Sequence, residues 1–355
     1  MSAESIRLRW KSDAPGFTDA HETVLSLDAL RGLQESGAVP NNFKDNFDRP
    51  ALWGAADAKP PDTTFKEYLQ DDEAVYRVMK QLRTHGLVFI TEIPNLEDAL
   101  VKIATRMGPM KDTFYGYTWD DLLYFDSPPH VQLLYCIQSS SFGGASVFVD
   151  AFKAAVKLYS TDQDAFNTLA SIRVNYHYNH PDENLYHTTK PVFELRPLKI
   201  GDTSYTSVFD YLRAWQEKQA TGAPLPDIDL TDCLEKINWG PPFLAPFSLK
   251  EQTLQPSVPS NTPRETLNQK MDRWHAAARK FSAILHKPDN LHERLMQAGQ
   301  CVLFDNTRVL HARRAFDAGD VGKARWLKGG YVDKDPFFSK LRVLKGKYGK
   351  SKIGE

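Results

Sequence analysis

A histidine and an arginine near the C-terminus have the types and spacing to do chemistry together. The run Asp305-Asn306-Thr307-Arg308-Val309-Leu310-His311 ends on an imidazole, and Arg325 follows fourteen residues later. A neutral imidazole can ligate a metal, and a guanidinium fork can grip the far carboxylate of a dicarboxylate through paired hydrogen bonds. The same two residues also read as a half-buried histidine beside a salt-bridged arginine. A lone histidine does not separate these readings. Other imidazoles offer weaker patterns: His180-Pro181-Asp182 has the spacing His-x-Asp, His177, His180 and His187 cluster along the chain, and His130 stands beside Pro129. Histidines in a stretch rich in Asn, Asp and Pro read first as surface residues.

The elements that must hold His311 and Arg325 are strands. Cys301 to Phe304 is an apolar run that enters a tight turn at Asp305-Asn306, and Val309-Leu310 returns from it with His311 at its end. Leu327 to Val332 is a further terminal strand. Upstream, Leu87 to Ile90, Val131 to Ile137 and Ser146 to Asp150 also read as strands, the last two separated by a turn at Gly143-Gly144. Apolar residues at helical spacing mark Phe65 to His85, ending at Gly86 in the manner of a C-cap, and Leu96 to Met107 after Pro94. Short helices are expected over Ala151 to Leu158 and Gln163 to Leu169, and the longest helical signal is Thr266 to Leu285. Short β-like pieces alternate with loops between Arg173 and Phe247.

Helices flanking many short strands predict a mainly β protein, with a barrel or sandwich core under helical cover rather than a doubly wound sheet. Residues 1–55 read as a small N-terminal β-containing module, with Ile6 to Trp10 alternating like a strand and Leu27 to Leu33 a helical turn. Asn41 to Thr64 looks like a linker, residues 56–345 form the main domain, and the lysine-rich residues 346–355 form a basic tail. The run from Lys340 onward reads as a solvated terminal strand and frayed end.

The chain of 355 residues has 44 Lys plus Arg against 45 Asp plus Glu, a balance that gives no field to draw it to nucleic acid or an acidic membrane. A small-molecule partner is the default. Cys136, Cys233 and Cys301 are far apart and form no CxxC pair, so neither a disulfide framework nor a zinc knuckle is indicated. No stretch approaches a membrane span and the N-terminus lacks the apolar run of a signal peptide, which together predict a cytoplasmic protein.

Several motifs, taken in order, go further. Asp305 to Arg313, Arg325-Trp326-Leu327, Gly330-Tyr331-Val332-Asp333 and Ser339-Lys340-Leu341-Arg342 resemble the distal-histidine region of the gamma-butyrobetaine and trimethyllysine dioxygenases. Pro128 to Cys136, Gly143-Gly144 and Val149-Asp150-Ala151-Phe152 resemble that family's next motifs, and Leu52-Trp53, His85 to Val88 and Thr113 to Trp119 fit upstream. The resemblance spans about residues 5 to 345. It implies a double-stranded β-helix, or jelly roll, and an enzyme that uses Fe(II), 2-oxoglutarate and dioxygen to oxidise a small molecule, as in carnitine biosynthesis. In such sites two histidines and a carboxylate occupy one face of iron and leave positions for the oxoacid and dioxygen. Residue by residue, it implies iron at Asp121 and His311, 2-oxoglutarate at Arg325 with Leu134 nearby, and a cage for a trimethylammonium group from Tyr115, Trp119 and Tyr331. A homodimer is implied in the same way.

The pattern breaks in one place. The family's first histidine and carboxylate come as His-x-Asp, whereas this chain reads Thr118-Trp119-Asp120-Asp121-Leu122, with Trp119 two residues before Asp121. Relative to that family, a stretch carrying an iron ligand, a strand and part of the substrate pocket is missing between Trp119 and Asp121, so weak iron binding is expected of the chain as written. Leu122 stands where an aromatic is usual for a betaine substrate, which keeps an amino acid or a natural-product intermediate open as substrate. The first cysteine is Cys136, so the zinc-binding cysteines that the family often carries near its N-terminus are not expected. A non-catalytic protein that keeps the 2-oxoglutarate pocket is the reading from a different class.

Overall fold

A computed structural model describes residues 5–9, 22–27, 47–96, 98–111, 128–139, 143–180, 182, 184–200, 203–205, 230–247, 266–315 and 326–349. The chain divides into two compact units, Met1–Asp48 and Arg49–Glu355. In the first, β1 (Ser5–Arg9) pairs antiparallel with β2 (Glu22–Ser26), and Arg7 and Arg9 both reach Glu22.

The second unit begins with β3 (Asp62–Thr64), which lies inside the expected linker, followed by α1 (Phe65–Gln70) and α2 (Asp72–Thr84). The helix expected over Phe65 to His85 is therefore two helices. Asp71 separates them because its extended backbone ends α1 while its carboxylate accepts the N–H of Glu73 and caps α2. Then come β4 (Leu87–Thr91), α3 (Ala99–Thr105), β5 (Val131–Gln138), β6 (Ser146–Asp150), α4 (Ala151–Thr161) and α5 (Gln163–Ser171). The middle of the chain holds the hairpin of β7 (Val174–His180) and β8 (Asn184–Lys190), then β9 (Phe193–Leu195), β10 (Leu198–Ile200), β11 (Thr203–Tyr205), α6 (Leu230–Cys233) and β12 (Leu234–Ile237). The last part is α7 (Leu267–Leu285), β13 (Leu291–Arg294), β14 (Gln300–Asp305), β15 (Val309–Arg313), β16 (Trp326–Val332) and α8 (Lys334–Tyr348).

Two sheets form the core. The larger runs β16-β5-β14-β4-β3 and the smaller β13-β6-β15. They face each other across Phe89 of β4, Phe304 of β14 and Phe148 of β6, with Phe148 edge-on to Phe89 at 6.1 Å and tilted to Phe304 at 5.8 Å. The other face of the large sheet is covered by α1, α2, α3 and α8, while the outer face of the small sheet packs on α4, α5 and α7. This is the mainly β, helix-flanked jelly roll that the sequence predicts.

Two expectations are corrected here. The basic C-terminal run is not a strand: α8 extends to Tyr348 and turns Phe337, Leu341 and Leu344 inward, a helical spacing that lets its lysines face solvent. Nor do β14 and β15 form a hairpin. The Asp305 turn passes the chain from the large sheet to the small one, where β15 pairs with β6. No helix among the described residues is long and apolar enough to cross a membrane.

Candidate functional site

His311 owes its place to the turn before it. The Asp305 carboxylate accepts the Thr307 backbone N–H at 2.9 Å and its hydroxyl at 2.6 Å, and the Asn306 N–H donates to the His130 carbonyl at 2.8 Å. Arg308 then plunges into the interior, where it is 2% exposed. Its Nε and Nη2 donate to the two oxygens of Asp150 at 3.0 and 2.7 Å, and Nη1 and Nη2 donate to the carbonyls of Thr84 and Ala51 at 2.7 and 2.6 Å. Asp150 also accepts the N–H groups of Phe152 and Lys153, capping α4, and that of Trp53. One buried, bidentate ion pair thus ties β15 to β6, α4, the end of α2 and the segment before β3.

From that anchor, strand alternation decides where the imidazole points. His311 lies opposite Phe148, which faces the large sheet, and its ring sits 4.7 Å from that of Phe304. Leu134 of β5 faces the same inter-sheet space, opposite Val302 and Gly329. Tyr331 is opposite Gln132 on β16, is 1% exposed and packs into the helical cluster under the small sheet. Asp121, Arg325, Tyr115 and Trp119 lie outside the described residues.

Spacing does not single out Arg308 or Gln132, yet both matter locally. Arg308 sits within the Asp305 to Arg313 motif, and its partner Asp150 within Val149 to Phe152. Gln132 is a polar residue in an apolar strand; it is 2% exposed, stands in the row Phe304-Gln132-Tyr331, and its carbonyl oxygen is buried without a hydrogen bond.

The remaining histidines fall elsewhere. His130 is wedged against Phe337 and Phe338 of α8 at 5.1 and 5.0 Å, and burial holds its pKa below the ordinary value, against the pull of Asp305. Its Nδ1 lies 3.6 Å from Asp305 and makes no hydrogen bond. His177 and His187 stand opposite each other in the β7–β8 hairpin, and His180 ends β7. Among the described residues no three His, Cys, Asp or Glu side chains converge on a possible metal position. A two-histidine, one-carboxylate iron site needs three such donors. Of these, His311 lies among the described residues and Asp121 does not.

Beside β15 lies a cavity of about 510 Å³. Its lining includes His311, Leu310 and Asn306 as well as Lys236, Asn238, Trp239, Phe243 and Leu285 of α7. That volume suits a small organic molecule. A smaller hollow of about 350 Å³ opens among Trp53, Lys59, Pro61 and His85.

Similarity to known proteins accords with this geometry. Residues 118–331 match the model of the taurine catabolism dioxygenase TauD, TfdA family. The chain is 27% identical over 377 residues to Dioxygenase str8 of Strobilurus tenacellus, a match covering 96% of this chain and 74% of that one. It is 25% identical to the gamma-butyrobetaine dioxygenase of Pongo abelii, covering 93% and 78% of the two chains. With the mitochondrial trimethyllysine dioxygenase of Rattus norvegicus it shares 22% identity over 97% of this chain and 75% of the relative. A jelly roll that presents His311 between its sheets, within a sequence matched from Thr118 to Tyr331, has one assignment: the chain belongs to the TauD, TfdA family of dioxygenases.

Proposed function

We propose that the chain is an Fe(II)- and 2-oxoglutarate-dependent oxygenase that oxidises a small organic molecule in the cavity beside His311. The observation that carries this reading is the position of His311, on the inner face of β15 and on the wall of a cavity of about 510 Å³. Enzymes of this family use Fe(II) and 2-oxoglutarate, the latter decarboxylated to succinate as the substrate is oxidised. His311 and Asp121 are the residues to hold iron, Arg325 and Leu134 those to hold 2-oxoglutarate, and Tyr115, Trp119 and Tyr331 those to meet a substrate such as a betaine or an amino acid. Cys136, Cys233 and Cys301 are buried thiols, and a reducing compartment such as the cytoplasm is the reading that goes with them.

One observation favours a second reading. No histidine stands two residues before Asp121, so a protein that binds 2-oxoglutarate without turning it over also accounts for the sequence. Succinate formation from 2-oxoglutarate by the purified chain, with and without Fe(II) and a panel of small acids, betaines and amino acids, separates the two. A chain carrying the family's His-x-Asp segment restored before Pro128 is assayed beside it. Iron-dependent succinate from either form supports the oxygenase; 2-oxoglutarate binding with no succinate from either supports the binding protein.

A further inference from the structure

We propose that Gln132 is a positioning residue for His311, its amide oxygen accepting the N–H of the imidazole whose other nitrogen carries the metal. This rests on the oxygenase reading of the site. Gln132 is 2% exposed, and its amide oxygen is buried without a hydrogen bond. Its neighbours across the sheet are Phe304 on β14 and Tyr331 on β16, so an aromatic residue stands on either side of the amide. A leucine or methionine would fill that place at less cost, because a buried acceptor without a partner loses its hydration and gains nothing in return.

What the amide stands next to follows from how the two sheets are stepped. On the small sheet, His292 of β13, Phe148 of β6 and His311 of β15 lie in one row. His292 meets Phe89 of β4, Phe148 meets Phe89 and also Phe304 of β14, and His311 meets Phe304. Each step toward β15 thus moves across the large sheet from β4 toward β14, and the next strand in that direction is β5. Gln132 is the residue of β5 directly opposite Phe304, so it stands beside the ring on which the imidazole rests. An imidazole that binds a metal through one nitrogen has an N–H left on the other, and an acceptor there fixes its tautomer and orientation. The stranded oxygen of Gln132 is an acceptor of that kind, on the strand that the steps lead to.

Two measurements that do not depend on turnover test this together: calorimetric titration with Mn(II), which stays divalent in air, in the presence of 2-oxoglutarate, and urea unfolding without metal. Both use the full chain and the chain with the His-x-Asp segment restored. Q132M keeps the length of the side chain and removes the acceptor. It is expected to weaken Mn(II) binding about tenfold or more, the scale on which the loss of an outer partner of a metal-bound histidine is felt, while its urea midpoint stays the same or rises because a stranded polar atom is gone. Q132E, which keeps an acceptor at the same reach, should retain most of the affinity. In an H311A background Q132M should change Mn(II) binding no further, since the amide acts through the imidazole. Mn(II) binding by Q132M equal to that of the unaltered chain would overturn the proposal, and so would an equal loss on Q132M in the H311A background. A Q132M chain that unfolds at lower urea, or does not fold, would assign the amide a structural role and overturn it as well. If neither the full chain nor the restored one takes up Mn(II), the oxygenase reading falls and this proposal with it; Mn(II) binding that ignores Q132M removes this proposal alone.

Discussion

Arg308 illustrates how a residue three positions from the candidate ligand governs it. The guanidinium and the Asp150 carboxylate are both buried, and each satisfies the other with further partners from the backbone. Removing one partner strands a charge in the interior, which costs about 3–5 kcal/mol. R308M is therefore expected to lose about that much in urea unfolding, while D150L/R308M should lose less than the sum of the two single changes. An additive double variant would show that the two groups are not coupled.

The histidines add a pH dependence at the same scale. Burial lowers the pKa of His130, and that of His292, below the ordinary 6.5. A depressed histidine stays neutral in the folded state while the unfolded chain takes up a proton, so stability is fully present above 6.5 and falls as pH drops below it. The urea midpoint should accordingly fall between pH 7.5 and 5.5, and H130F should flatten that slope. An unchanged slope would exclude His130 as its source. In the sequence, His311 and Asp150 could be found by motif, but the burial of Arg308 and the orphaned oxygen of Gln132 could not. Both depend on which sheet face a strand presents.

At the scale of elements, one turn shows what local sequence can and cannot convey. Gly299 precedes β14 with φ of +81°, and a Cβ there would stand 2.8 Å from the Ile93 carbonyl oxygen. The close approach is held from both sides, since the Ile93 N–H donates to Gly299 O at 2.9 Å and the Gly299 N–H to Cys136 O at 3.0 Å. G299A combines a left-handed backbone with a clash against main chain, and should cost about 1–3 kcal/mol. Urea unfolding of G299A against wild type checks this, and a loss near zero would mean the turn can rearrange. Helices follow the sequence well where caps are explicit, as with the Thr266 and Gln269 capping box that starts α7. They depart from it where a mid-helix carboxylate such as Asp71 competes for the backbone, because that competition is decided by packing on both sides.

For the whole molecule, the legible part was the order of the motifs and the unreadable part was the sheet to which each strand belongs. The runs Leu87 to Ile90, Val131 to Ile137, Ser146 to Asp150 and Cys301 to Phe304 are largely apolar and buried, Gln132, Ser146 and Asp150 being the polar exceptions, because both faces of each strand are covered. Nothing in such a run says that β14 and β15 part company at Asp305. The ring cluster of Phe89, Phe148 and Phe304 makes that separation workable, filling the space between the sheets while Phe304 backs the His311 ring. F148A should open a cavity between the layers and cost about 3–5 kcal/mol, a large share of the roughly 5–15 kcal/mol that holds a typical domain together. F148L keeps most of the volume and should cost less. Because Phe148 lies opposite His311, the same change loosens the imidazole, so 2-oxoglutarate turnover should fall further than the unfolded fraction alone accounts for. Equal losses in turnover and folded fraction would show that Phe148 serves stability only, and that the backbone of β15 positions His311 without it.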